Sequence, residues 1–321
     1  DRHELLLPEL TQAMRRTLQR GDQVLLFINR RGSAGAMMCG HCGETIRCPN
    51  CDMSLTFHGD IARLVCHYCG FKRLPPHACP SCNEVQLSFV GSGTKGVEVE
   101  IEKAFSRYRI ARLDSDNGDI ETIQTTYKQL QDRQIDIIVG TQMIARGLDL
   151  AGIGLVGVIA TDSMLAIPDY SSSERTFQLL TQVAGRAGRS NNTGEVIIQT
   201  LSPTHPAIIA ASHHDFEAFF EHEIQLRQRY AYPPYRYLVK LIYGHKNEQK
   251  ATSHSTEIAH AIALKWPGVQ VLGPTDRAIR RSGGLYWKQL IVKSKRRATL
   301  LDIIRDLKPG WKHDIDPTNM S

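Results

Sequence analysis

A chain of 321 residues, 41% hydrophobic and 22% charged, has the composition of a globular protein and room for roughly two domains plus a small module. No apolar run approaches the ~18 residues of a membrane span, and the opening DRHELLLPEL lacks the basic region and cleavage site of a secretory signal. We therefore expect a cytoplasmic protein with no membrane partner. Its start at Asp1 rather than Met reads as a piece of a longer or processed protein.

Leu6, Leu10, Met14 and Leu18 recur every four residues before Gly21, which predicts an amphipathic helix over residues 3–20. The apolar run QVLLFIN (23–29) predicts a strand covered on both faces. A cysteine block follows. Beyond it, helical and strand patterns alternate: VEVEIEKAFSRY, RIARLD, ETIQTTYKQLQD, IDIIV, LVGVIA, RTFQLLTQVAG and EVIIQT. Such alternation predicts an α/β fold with a parallel sheet, one strand of which precedes the cysteine block and four of which follow it. The block is therefore an insertion. A helical connector is expected to about residue 231, then a proline break at YPPY (232–235), then a small α+β domain. The expected division is residues 1–35 with 88–201, the insertion 36–87, the connector 202–231 and the last domain 232–321.

All eight cysteines lie within 44 positions, as four Cys-x-x-Cys pairs: Cys39 and Cys42, Cys48 and Cys51, Cys66 and Cys69, Cys79 and Cys82. Each pair places two thiolates on one side of a tight turn, and two such turns complete a tetrahedral Zn²⁺ site with no open position, so two structural zinc ions are expected. An iron–sulfur cluster is the alternative use of such ligands. Only five residues separate Cys42 from Cys48, which favours nested pairing: Cys39 and Cys42 with Cys79 and Cys82, and Cys48 and Cys51 with Cys66 and Cys69. Arg47, His58, Arg63, His67, Tyr68, Lys72 and Arg73 would then form a nucleic-acid-facing surface.

The net charge of +6 points only weakly to an anionic partner, but its distribution is informative. Between Leu272 and Arg297 eight basic residues stand against one acid, with Tyr286 and Trp287 among them, a mixture suited to phosphate contact and base stacking. GSGTKG (91–96) is no P-loop, since Lys95 precedes its last glycine, and no other stretch supplies a Walker A sequence. GTQMIARGLDL (140–150) places Gly140, Thr141 and Gln142 at the carboxyl end of a strand, where parallel sheets bind ligands. TQVAGRAGR (181–189) sets Arg186 and Arg189 three apart at a helix end, where two guanidiniums can meet one triphosphate.

Over nearly its whole length the chain resembles the carboxyl-terminal part of the PriA family of bacterial replication-restart helicases, members of superfamily 2. The resemblance is carried by FINRRG (27–32), the eight cysteines, GTQMIARGLD (140–149), ERTFQLLTQVAGRAGR (174–189), GEVIIQT (194–200), YPPY (232–235), LGP (272–274) and IDP (315–317). It implies a RecA-like second helicase lobe, interrupted by a two-zinc module and followed by a DNA-binding domain. It further implies that Gly140, Thr141, Gln142, Arg146 and Gly147 belong to helicase motif V and that Asp149 lies near the ribose. Gln182 would face the interlobe cleft, and Arg186 and Arg189 would be arginine fingers. ATP and Mg²⁺ would be shared with a first lobe. Branched or single-stranded DNA, other primosome proteins and single-stranded DNA-binding protein are the implied partners, in the bacterial cytoplasm near the nucleoid. Arg146 stands where the family usually has lysine, and the family's amino-terminal region, Walker A and Walker B boxes do not occur in this sequence. A zinc-stabilised DNA-binding or docking module without turnover is the alternative function.

Overall fold

The computed structural model describes residues 6–28, 35–89, 94–113, 120–140, 152–159, 161–187, 194–317 and 320. Helix α1 (Pro8–Gln19) leads into β1 (Gln23–Ile28). The insertion carries the short strands β2 (Met37–Cys39), β3 (Thr56–His58), β4 (Arg63–Val65), β5 (Lys72–Arg73) and β6 (Leu87–Phe89). Then come α2 (Thr94–Ala104), β7 (Ile110–Leu113), α3 (Ile120–Gln131), β8 (Ile137–Gly140), β9 (Ile153–Ile159), α4 (Thr161–Leu165), α5 (Ser172–Ala184) and β10 (Glu195–Ile198).

β1 forms the centre of a five-stranded sheet in the order β10-β9-β1-β8-β7, every pairing parallel. Its six residues are all buried because successive side chains enter different cores. Leu25 and Phe27 pack with Val156, Val158, Leu180 and Ile208, while Val24, Leu26 and Ile28 meet Leu10, Met14, Val97 and Ile101 on the other face. Each such burial is worth ~1.5–3 kcal/mol, so a strand that reads as one apolar run is fixed from both sides. Helix α1 crosses so near that a Cβ at Gly157 would come within 2.8 Å of Leu10 and 2.7 Å of Leu26. This is the α/β lobe with a parallel sheet expected from the alternating pattern, and the cysteine module emerges after its central strand.

The connector comprises two helices, α6 (Pro206–Ser212) and α7 (Phe216–Arg229). Asp215 caps α7 by accepting from Ala218 N–H at 2.9 Å, and His205 caps α6 through Nδ1, which accepts from Ala207 N–H at 3.2 Å. The last unit comprises β11 (Tyr237–His245), α8 (Glu248–Lys265), β12 (Gln270–Ser282), β13 (Leu285–Ser294), α9 (Arg297–Asp306) and β14 (Trp311–Ile315). Its antiparallel sheet runs β12-β13-β11-β14, backed by α8 and α9. The sequence signals stop the strand at VQVLG, yet β12 continues past Pro274, because an irregularity between Leu272 and Thr275 absorbs the missing amide and pairing with β13 resumes. A further core joins the module to this unit: Cys48, Cys51, Cys66, Leu55, Leu64 and Tyr68 pack with Tyr232, Leu238, Ile291 and Met320. Among the described residues no helix is long and apolar enough to cross a membrane.

Candidate metal centres and the interlobe face

One turn is used four times. In each Cys-x-x-Cys segment the residue four places after the first cysteine donates its N–H back to that cysteine's carbonyl: Gly43 to Cys39, Asp52 to Cys48, Gly70 to Cys66 and Asn83 to Cys79, at 2.9–3.0 Å. All four donors have positive φ, between 59° and 82°, and all are Gly, Asp or Asn, the residues that tolerate that region. The turn leaves both sulfurs on one side. Backbone amides also point at sulfur, as from His41 to Cys39 and from Ser81 to Cys79, each at 3.4 Å.

The eight cysteines gather into the nested sets Cys39, Cys42, Cys79, Cys82 and Cys48, Cys51, Cys66, Cys69. Sulfur separations are 3.6 Å for Cys39–Cys82 and Cys42–Cys79, 3.5 Å for Cys48–Cys69 and 3.4 Å for Cys51–Cys66. A disulfide needs about 2.05 Å, whereas the edge of a tetrahedron with ~2.3 Å zinc–sulfur bonds is about 3.8 Å. The ligand sets therefore fit structural zinc. The acidities agree: in the buried set, contact with Cys48, Cys66 and Cys69 drives the Cys51 thiol far up, while contact with Cys48, Cys51 and Cys66 drives Cys69 far down. Four crowded sulfurs without a counter-charge cannot all ionise, and a dication removes that conflict.

The surface expected on the module is only partly exposed. His67 and Tyr68 are buried, Tyr68 against Tyr232 and Lys293. Arg47 turns to Asp52 at the wall of a cavity of about 280 Å³, which the module shares with Asp169, Tyr170, His205, His222 and Arg227. Sequence patterning did not single out Tyr170, Arg227 or Tyr232, yet they join three elements. Arg227 bonds Glu174 of α5 at 2.5 Å and Glu223 at 2.8 Å, and lies over Tyr170, whose ring stacks on Tyr232 at 5.1 Å. The YPPY segment was the signal available.

Of the residues expected at an interlobe cleft, the structure describes Gly140, Gln182 and Arg186. Gly140 ends β8 beside Phe27 and Leu113, buried at the carboxyl edge of the sheet. Thr141, Gln142, Arg146, Gly147, Asp149 and Arg189 lie outside the described residues. Gln182 is exposed near the end of α5, and Arg186 is half-buried in the turn that follows, its N–H donating to Val183 O at 3.1 Å.

Half of the basic run of the last unit is occupied by partners within the chain. Lys288 is buried against Asp276 at 2.5 Å, Arg280 pairs with Glu248 and Arg297 with Asp316. Lys293, 2% exposed, has its ammonium pushed down to about 8 by burial. Lys295 and Arg296 stay exposed, and beside them in the run lies an aromatic patch: Arg281 over Tyr286 at 5.1 Å and Lys312 over Trp287 at 5.0 Å, with the indole so close to the backbone of Gly244 that a Cβ there would meet it at 2.6 Å.

Three family models match in order along the chain: "PriA DNA helicase Cys-rich region (CRR) domain" at residues 48–73, "Helicase conserved C-terminal domain" at 83–191 and "Primosomal protein N C-terminal domain" at 228–318. The chain is 39% identical over 313 residues to the replication restart protein PriA of Bacillus subtilis (strain 168), covering 96% of this chain and 38% of the relative. It is 41% identical over 311 residues to the protein of the same name from Synechocystis sp. (strain ATCC 27184 / PCC 6803 / Kazusa), covering 93% and 37%. To that of Treponema pallidum (strain Nichols) it is 35% identical over 326 residues, covering 98% and 50%. The chain thus spans half or less of the length of these relatives.

Proposed function

We propose, because this chain belongs to the PriA family of replication restart proteins, that it forms the carboxyl-terminal part of an ATP-dependent 3′→5′ DNA helicase. That enzyme would recognise stalled or branched replication forks and start primosome assembly. The observation that carries the reading is the colinear match of the cysteine-rich, helicase and carboxyl-terminal models on one chain whose central sheet is parallel. In this scheme the sheet presents Gly140, Thr141, Gln142, Arg146, Gly147 and Asp149 beyond its carboxyl edge to DNA and nucleotide. Gln182, Arg186 and Arg189 meet the triphosphate bound with Mg²⁺ on a first lobe, and the two guanidiniums offset charge that develops on the transferred phosphoryl group. Zinc at the two cysteine centres is structural, since four protein thiolates leave no position for substrate. Branched or single-stranded DNA, primosome proteins and single-stranded DNA-binding protein are the proposed partners. The absence of a Walker A sequence from this chain supports a second reading for the isolated piece, a DNA-binding or docking module without turnover.

Both readings meet in one pair of measurements. The zinc-loaded chain alone is expected to show no ATP hydrolysis with or without branched DNA, and DNA-stimulated turnover would place a complete nucleotide site within these residues. In a two-lobed relative carrying the same motif, the substitution equivalent to Arg189→Ala should reduce DNA-stimulated hydrolysis by ~10³-fold or more while DNA affinity stays nearly constant. Equal loss of both would make that arginine a DNA or folding contact.

A further inference from the structure

The two cysteine centres differ in what grips their backbone. Around Cys39, Cys42, Cys79 and Cys82 the module bonds mainly to itself: Cys39 N–H donates to Glu44 O, Cys79 N–H to Glu84 O and Gly40 N–H to Gln86 O, at 2.8–2.9 Å. Its hydrogen bond outside the module is with the start of the connector, where Ser202 Oγ donates to Gly43 O at 2.8 Å. Around Cys48, Cys51, Cys66 and Cys69, both turns are held by the carboxyl-terminal unit and the segment leading into it. The Cys51 carbonyl accepts from Tyr232 Oη at 2.5 Å. The His67 carbonyl, inside the other turn, accepts from Thr275 Oγ1 of β12 and Gln289 Nε2 of β13, both at 2.7 Å, which uses both of its lone pairs. His67 Nδ1 lies 3.0 Å from Asp276 O; a carbonyl only accepts, so Nδ1 carries the proton.

Charge follows the same plan. Four thiolates around a dication carry a net double negative charge, which a buried site must offset. Lys293 of β13 sits 3.9 Å above the Tyr232 ring and 5.4 Å from that of Tyr68, two rings of the core that holds Cys48, Cys51 and Cys66, and donates to Tyr230 O at 2.7 Å. The same strands thus supply hydrogen bonds to the ligand turns and a buried cation beside them. A metal that binds only the closed turn geometry stabilises whatever enforces that geometry, and the dependence is reciprocal.

We propose that the Cys48–Cys51–Cys66–Cys69 centre is the clasp that docks the carboxyl-terminal sheet on the cysteine module, its metal occupancy and that docking rising and falling together, whereas the Cys39–Cys42–Cys79–Cys82 centre exchanges metal independently of the sheet. The clasp rests on the reading of both clusters as zinc sites.

The test uses the full chain loaded with zinc. Transfer to a chromophoric chelator is expected in two phases of one equivalent each, the slower from the clasp. Thr275→Val combined with Gln289→Leu should speed the slow phase about tenfold or more and leave the fast phase unchanged. Tyr232→Phe, which keeps the ring and removes one hydrogen bond, should speed it severalfold. Hydrogen exchange supplies a second readout: amides of 270–294 should lose protection with the second metal and keep it when only the first has left. Equal acceleration of both phases, an unchanged slow phase in folded Tyr232→Phe, or loss of protection with the first metal would overturn the clasp. Fewer than two bound equivalents would overturn the zinc assignment itself, and the clasp with it.

Discussion

His205 shows how one side chain can set a pH limit. It is half-buried, and its imidazole is pushed down to about 4, first by burial and then by Arg47 and His222 nearby. Its Nδ1 accepts from the Ala207 amide at the start of α6, a bond that requires the neutral ring. Because the folded value lies below the unfolded one near 6.5, the stabilisation is complete above about pH 6.5 and is lost as pH falls towards 4. The loss should reach about 2–3 kcal/mol, read from denaturant midpoints across that range. His205→Asn keeps an acceptor for the cap and should flatten that acid limb; an unchanged limb would assign it to other groups. Gly43 is constrained differently: a Cβ there would lie 2.1 Å from Ser202 Oγ and 2.5 Å from Leu201 backbone, so both its positive φ and its neighbours demand glycine.

Among the elements, α5 and α7 are tied by charge as well as by packing. Arg227, 14% exposed, lies between Glu223, 10% exposed, and the half-exposed Glu174. Burial raises Glu223, so loss of the guanidinium would strand a carboxylate in an apolar place. Arg227→Met should cost about 3 kcal/mol, and adding Glu223→Leu should restore most of it. A double-mutant cycle by urea unfolding measures this coupling, and a coupling near zero would reduce the pair to a solvated contact. Elements were legible where periodicity was strong, as in β1 and α5, whereas α1 begins at Pro8, later than the residue 3 expected from its leucine spacing, because the proline suits the first helical position. β14 escaped notice because only the two ends of Trp311–Ile315 are even half-buried, and the part of β12 beyond VQVLG because a proline normally ends a strand.

At the scale of the molecule, the cores on the two faces of the parallel sheet contain no cysteine, whereas the third core is built around Cys48, Cys51 and Cys66. Chelation should therefore melt the module at 35–89 and release the carboxyl-terminal sheet while the parallel sheet keeps a cooperative transition, visible as two calorimetric peaks. A single global transition on metal removal would contradict the inserted arrangement. The nesting of the cysteines was readable because five residues cannot easily return Cys48 to the first site. The fate of the basic run was not: Lys288 and Lys293 are neutralised or caged by Asp276, Glu248, Tyr232 and Tyr68, partners that only folding brings near.

The order in which the chain leaves the ribosome gives the central position of β1 a temporal meaning. Its neighbours β8 and β9 follow more than a hundred positions later, Val24 meeting Ile137 and Leu155. At ~5–20 residues per second this strand, apolar on both faces, waits roughly 6–25 s for its first partner. Meanwhile the cysteine module is made in full, and its Cys39–Cys42–Cys79–Cys82 centre can close around its metal first. Zinc supply during synthesis should thus govern how long an unpaired aggregation-prone strand sits beside a folded or an unfolded neighbour.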